Sequence, residues 1–281
     1  MKSHLRWIGW LTLLFLMASL VAGCAGGEAA EPNTALPQKI TVVLDDNYPP
    51  YIFQNESGKL QGILVDQWAL FEAKTGIRVE LTAMDWGQAL QRMQAGEFDV
   101  IDTVFRTPER EKLYDFTAPY ATIEVPIYFS NKISGINDAS SLKGFPVAVK
   151  AGDAAVEYLQ GEGLTDLHYY PSYEAIIRAA RDQEEVVFVV DKPAALYYLY
   201  KYELQDQFNA SEPLYAGKFH RAVKKGSSDL LSILEWGFAK ISTREYREID
   251  DKWFGTPASS NVTTTLRYLT LIGGIALLVG A

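Results

Sequence analysis

The chain has 281 residues, 48% of them hydrophobic, enough for one large or two small cores once terminal segments are set aside. Its formal net charge is −9 and it carries no run of Lys or Arg, so it lacks the basic face that a phosphate backbone requires and nucleic acid is set aside as a partner. A single cysteine excludes any disulfide within the chain.

Lys2 and Arg6 followed by the apolar stretch Ile8 to Ala22 read as an export signal over residues 1–24. The sequence Val21-Ala22-Gly23-Cys24 has the small-small-Cys pattern of a bacterial lipoprotein cleavage site, with Cys24 as the acylated thiol; an ordinary signal peptide with an incidental cysteine is the other reading. Residues 25–37 then serve as a linker.

Between Gln38 and Gly255 short apolar runs alternate with 3.6-residue patterns, the signature of an α/β architecture. Ile40 to Leu44 is expected as a strand, Leu64, Val65, Trp68 and Phe71 as one face of a helix, and Ile77 to Leu81 as a second strand. Trp86, Ala89, Leu90 and Met93 make another helical stripe, and Val100 to Val104 a further strand. The scheme then repeats. Pro146 to Val149 reads as strand, Asp153 opens a helix, Tyr173, Ile176, Ile177 and Ala180 share a face, Val186 to Val190 is a buried strand, and Lys192 to Tyr202 is helical. Two helices, Ser227 to Ile241 and Arg244 to Trp253, follow. Aromatic residues in these stripes belong to the core, with Trp86 as the exception: it opens its helix just after a strand, where open α/β sheets place ligand-contacting residues.

Two places carry chemistry. Thr107-Pro108-Glu109-Arg110 joins an N-cap candidate to proline at the first helical position, so a helix starts there. Free backbone N–H groups at such a start favour an anion, and the Arg110 guanidinium adds a bidentate fork for a carboxylate. The alternative is a surface arginine paired with Glu109 or Glu111. Asp191 ends a run of five apolar residues, and a carboxylate buried there must find a partner. A ligand ammonium satisfies it; a local pair with Lys192, or a helix cap, is the other reading.

Three segments, DDNYPPYIFQNESGKLQGILVDQW, FDVIDTVFRTPEREKLYDFTAPY and VVFVVDKPAALYYL, resemble the family 3 solute-binding proteins of bacterial amino-acid transport and the same module in transmembrane receptors. The match runs from Gln38 to about Gly255. The resemblance implies a periplasmic binding protein type II-like fold, two α/β lobes joined by a two-strand hinge. Residues 38–127 and 215–255 form lobe one and residues 128–214 lobe two, with crossings near Ile123 to Tyr128 and Tyr215 to Phe219. It also implies that Arg110 holds a ligand α-carboxylate and Asp191 its α-amino group, that Tyr48, Tyr51 and Trp86 wall the ligand, and that Thr103, Phe105 and Asp153 complete the site. No cofactor or metal is implied.

Two positions depart from the family pattern. Phe105 stands where a Ser or Thr is common, and Gly152-Asp153-Ala154 where a Thr is common, so two hydroxyl donors are missing. Asp153 can cap its helix instead, and Phe105 can pack on an apolar group. The expected ligand is therefore an amino acid held with fewer hydroxyl contacts, an organic acid or another small polar molecule, and a receptor domain with no ligand is the remaining alternative.

Beyond the lobes, Thr256 to Thr265 is a polar linker, and the thirteen residues Leu269 to Ala281 are apolar apart from Thr270. A membrane span needs roughly 20 apolar residues, so residues 266–281 read as the first part of a transmembrane helix, with a short buried or interfacial helix as the alternative. The expected role is the ligand-sensing domain of a membrane signalling receptor at the extracytoplasmic face, held by that helix and by any lipid on Cys24, with a receptor dimer partner. The alternative is the lipoprotein component of an amino-acid ABC transporter, with a permease as partner. A cyclohexadienyl dehydratase-like enzyme is a further alternative, but no single cleft acid stands out among Asp45, Asp46, Asp102 and Glu124, and His168 and His220 form no triad or metal spacing. The part present here is read as a binder and not an enzyme.

Overall fold

The computed structural model describes residues 32–255 except residue 56. The signal segment, Cys24, most of the 25–37 linker, the 256–265 linker and the apolar stretch at 266–281 lie outside the described residues. Among the described residues no helix is long and apolar enough to cross a membrane.

The chain begins with β1 (Lys39–Asp45), a strand buried along most of its length. A small antiparallel sheet follows, made of β2 (Asn47–Tyr48), β3 (Ile52–Gln54) and β4 (Leu60–Gln61). Helix α1 (Ile63–Thr75) buries Ile63, Leu64, Gln67, Trp68 and Phe71, and it stops at Gly76, whose left-handed φ of 73° only glycine adopts without cost. Strand β5 (Arg78–Met84) pairs in parallel with β1 along its full length, and α2 (Trp86–Gln94) starts where Asp85 accepts the Gln88 N–H at 3.1 Å. Then come β6 (Val100–Phe105), a single turn α3 (Pro108–Glu111) and β7 (Tyr114–Phe116).

Strand β8 (Ala121–Ser130) leads into the second half, which holds β9 (Val147–Lys150), α4 (Ala154–Gly161), β10 (Leu167–Tyr170), α5 (Tyr173–Arg181), β11 (Val187–Val189) and α6 (Lys192–Lys201). The chain returns along β12 (Phe208–Lys224) and closes with α7 (Ser228–Ala239) and α8 (Thr243–Phe254). The main sheet runs β10-β9-β11-β8-β12-β6-β1-β5, with β7 also on β12.

The central feature is the antiparallel pair β8 and β12, which passes from one half to the other. Their pairing extends from Ser130↔Phe208 to Ala121↔Phe219, after which β12 pairs with β6. The sequence suggested only a short return near Tyr215 to Phe219. Pro213 hides the longer strand, because it offers no N–H to a ladder, and the register shifts on both sides of it absorb that loss. The parallel strands of both halves direct their carboxyl ends at the space between the halves, which positions the residues that follow each strand to face one another.

Candidate functional site

Strand ends supply most of this site. From the first lobe come Asp45 at the end of β1, Tyr48, Trp86 at the start of α2, Thr103 and Phe105 of β6, Arg110 of α3, and Phe219 of β12; from the second come Lys150 at the end of β9, Asp153 and Ala154 at the start of α4, Tyr173, and Asp191 just after β11. Together they line one small cavity, with only about 20 Å³ of room for water. The two lobes are thus closed on each other.

The closure is made by polar contacts across the gap. Arg110 Nη2 donates to the Gly152 carbonyl at 2.9 Å, and Trp86 Nε1 donates to the same oxygen at 3.1 Å. Tyr48 donates its hydroxyl to Asp191 Oδ2 at 2.6 Å, Asn47 donates to Glu174 at 3.1 Å, and Lys150 forms a buried ion pair with Asp45. Gly152 has to be glycine. Its φ is +75°, a conformation strained for any residue with a Cβ, and a Cβ there would also sit 3.0 Å from Leu90 Cδ1 on α2.

Seven of the eight residues expected at the site line this cavity: Tyr48, Trp86, Thr103, Phe105, Arg110, Asp153 and Asp191. Tyr51 does not. It stands behind Tyr48, edge-on to Tyr48 at 5.7 Å and to Phe219 at 5.2 Å, because the intervening Pro49-Pro50 turn sends the two tyrosines to different depths. Tyr51 therefore supports the cleft wall from behind.

Arg110 is buried and meets neither Glu109 nor Glu111; Lys112 takes Glu109 and Arg106 takes Glu111. Its Nη1 donates to the Phe105 carbonyl at 2.9 Å, so both terminal nitrogens rest on neutral carbonyl oxygens. The expected anion-binding helix start is only one turn long, and Thr107 Oγ1 already accepts the Arg110 N–H at 3.3 Å. The α3 start therefore adds little attraction for a carboxylate beside the Arg110 guanidinium.

Asp191 is 3% exposed and caps nothing, and Lys192 pairs with Glu124 instead. Oδ1 of Asp191 is buried without a hydrogen-bond partner. Burial, followed by the charge of Asp153, pushes the Asp191 carboxyl up to about 8. Asp153 caps α4 through the Ala155 N–H at 3.1 Å and accepts the Tyr173 hydroxyl on its other oxygen. Phe105 packs on Phe219 at 5.1 Å and lies so close to the hinge strand that a Cβ on Gly217 would be 2.2 Å from its ring. Thr103 has a φ of 60° and spends its hydroxyl on the Asp102 carbonyl at 2.6 Å.

Lys150, Tyr173 and Phe219 were not anticipated as site residues, and Asp45 entered the sequence reading only as a candidate acid of an enzyme. The rule that placed Trp86 and Asp191, attention to the residue ending each parallel strand, also finds Asp45 and Lys150. Of the other acids weighed, Asp102 lies within lobe one on Trp68 and Tyr120, Glu124 is paired with Lys192, and Asp46 lines a different pocket. His168 contacts Glu185 at 2.6 Å, and buried His220 contacts the Thr117 carbonyl at 2.7 Å.

The sequence pattern of the bacterial extracellular solute-binding proteins, family 3, matches residues 40–256. The chain is 28% identical over 262 residues to the L-cystine-binding protein TcyJ of Escherichia coli strain K12, covering 88% of this chain and 96% of that one. It is 26% identical over 222 residues to the virulence sensor protein BvgS of Bordetella pertussis, covering 77% of this chain but 18% of that sensor. Among solved structures, a histidine kinase sensor domain with similarity to periplasmic binding proteins superposes with a TM-score of 0.73 at 25% identity, covering 78% of this chain and 96% of that one. An ancestral arginine-binding protein bound to glutamine shares the fold, with a TM-score of 0.71 at 24% identity over 79% of this chain and all of that one.

Proposed function

The chain belongs to family 3 of the bacterial extracellular solute-binding proteins, and we propose that its cleft binds an α-amino acid by clamping the two charges of the zwitterion between Arg110 and Asp191. One observation carries this reading. The cavity holds a buried guanidinium that meets only carbonyl oxygens, and a buried carboxyl that has an unpartnered oxygen and is raised to about 8. Each group lacks what the other end of a zwitterion supplies, and a charge-assisted contact at each would exceed the neutral contacts it replaces.

The relatives support the class of ligand: TcyJ is named for L-cystine, and a solved structure with this fold was obtained with glutamine bound. The hinge converts binding into geometry, since contacts made only when both lobes touch the ligand stabilise the closed form. We assign this closure to sensing, on the apolar stretch Leu269 to Ala281 and the likeness to two sensor proteins; the delivery of a solute to an ABC permease is the alternative, favoured by the likeness to TcyJ over nearly its whole length. Retention of the full-length protein in the inner membrane after Cys24→Ala supports the sensing assignment, and its release supports the lipoprotein.

A thermal-shift screen over the common amino acids, L-cystine and small dicarboxylates tests the binding reading. A ligand at 100 times its dissociation constant adds about 2.7 kcal/mol of stability. Arg110→Ala is expected to weaken every hit by about 2 kcal/mol or more, roughly 30-fold. Unchanged affinity in that variant contradicts the clamp.

A further inference from the structure

Lys150 ends β9 in the second lobe, is 2% exposed, and directs its ammonium across the interface to Asp45 of the first. Three rings surround it: the centroid of Tyr173 lies 4.4 Å from Nζ, that of Trp86 5.6 Å and that of Tyr48 5.8 Å. Tyr48 and Trp86 belong to one lobe and Tyr173 to the other, so the cage is complete only when the lobes meet. Three aromatic faces and a carboxylate converging on one point make a receptor for a cation, since each ring face is negative and within the range where the attraction is felt. Here the cation is tethered to the protein.

We propose that Lys150 is the specificity-determining residue of the cleft: its ammonium fills, from within, the cage of Tyr48, Trp86, Tyr173 and Asp45, and so excludes ligands whose side chains carry a positive charge. A second cation would meet Lys150 at close range in a water-poor space, where like charges repel strongly. Asp153 is already engaged as the α4 cap and by the Tyr173 hydroxyl. With Asp45 neutralised by Lys150, the groups left for a ligand are Arg110 and Asp191, which suits a zwitterion with a neutral or acidic side chain. The selectivity for amino acids rests on the zwitterion reading above; the occupancy of the cage by Lys150 does not.

Chemical rescue separates the two. Lys150→Ala removes the atoms of n-propylammonium, so n-propylammonium chloride is the probe, compared with sodium chloride at equal ionic strength and with 1-propanol. The melting temperature of Lys150→Ala is expected to rise saturably by about 3 °C with the amine and not with the alcohol, while wild type does not respond. Lys150→Thr, whose β-branch suits the strand, carries the same test if the alanine variant does not fold. In the same variant L-lysine or L-arginine is expected to gain at least about tenfold in affinity over wild type, the equivalent of one recovered cation–π and ion-pair contact. Identical amine responses in variant and wild type overturn the proposal. So does wild-type binding of L-lysine or L-arginine as tight as that of any other amino acid, a result that needs no variant. Rescue by the amine without binding of any amino acid supports the caged lysine and contradicts the zwitterion clamp; amino-acid binding without rescue does the reverse.

Discussion

Two buried aspartates show how differently one fold uses the same group. Asp102, in β6, is fully enclosed and accepts from three donors, Trp68 Nε1 at 2.8 Å, the Tyr120 hydroxyl at 2.7 Å and the Thr103 N–H at 2.7 Å, and it forms an ion pair with the Arg221 guanidinium, whose Nε lies 3.2 Å away. Arg221 is held in turn by Gln67 at 2.5 Å and by the ring of Phe238, 3.4 Å from its centre. Asp191 is buried nearly as deeply, yet it has one donor, Tyr48, and one unpartnered oxygen. A buried charge with all its partners inside one lobe holds that lobe together; a buried carboxyl short of partners, at the seam between lobes, is where the proposed ligand would supply one.

The largest separation between the two is expected from isosteric amides. Asp102→Asn leaves Arg221 without its counter-charge, and the loss of stability in urea unfolding is expected at about 3 kcal/mol, with ligand affinity changed only through folding. Asp191→Asn, which mimics the protonated carboxyl that the fold holds, is expected to be at least as stable as wild type at pH 7, and to lose at least 30-fold in amino-acid affinity, about 2 kcal/mol. Equal destabilisation by both would erase the distinction.

A pH series sharpens it further. Folding raises Asp191 above the ordinary carboxylate value of 3.8, so the folded domain keeps a proton that the unfolded chain releases. That contribution is present in full below about pH 4 and is lost as pH rises through about 8. The difference in stability between wild type and Asp191→Asn should therefore shift against wild type from pH 5 to pH 8. A difference that stays flat over this range contradicts the raised carboxyl.

The two tyrosines of the first loop give the smallest effect. Tyr48→Phe removes the donor to Asp191 and is expected to change amino-acid affinity by about 1 kcal/mol, whereas Tyr51→Phe, behind the wall, is expected to change it by less than about 0.5 kcal/mol. Titration of both variants with one ligand checks the order.

What the sequence revealed followed from local rules. Arg110 is legible because Thr107-Pro108 marks a helix start, and Asp191 because an acid after five apolar residues ends a buried strand. Periodicity also placed α2, α5 and the last two helices within a residue or two of their observed ends, and it found the buried face of α1 but not its end, four residues beyond Phe71. Lys150 and Asp45 were hidden by distance, since they meet across 105 positions and neither carries a local sign of the other. Tyr51 was misplaced for a different reason: two tyrosines flank a turn, and no periodicity runs through Pro49-Pro50 to say which one faces the cleft. The partners of Asp102 come from α1, from the segment before β8 and from β12, so its role as scaffold emerges only from the packing.

The most direct measurement is the number of protons released when an amino acid binds. Burial and the neighbouring charge of Asp153 hold the Asp191 carboxyl well above the usual carboxylate range in the free domain, and pairing with a ligand ammonium favours the carboxylate, so binding at pH 6.5 is expected to release a proton. Calorimetric titration of the tightest ligand from the thermal screen, in two buffers of different ionisation enthalpy, is expected to give about one proton released per ligand in wild type and none in Asp191→Asn. Binding of that ligand to wild type with no proton released would contradict the clamp.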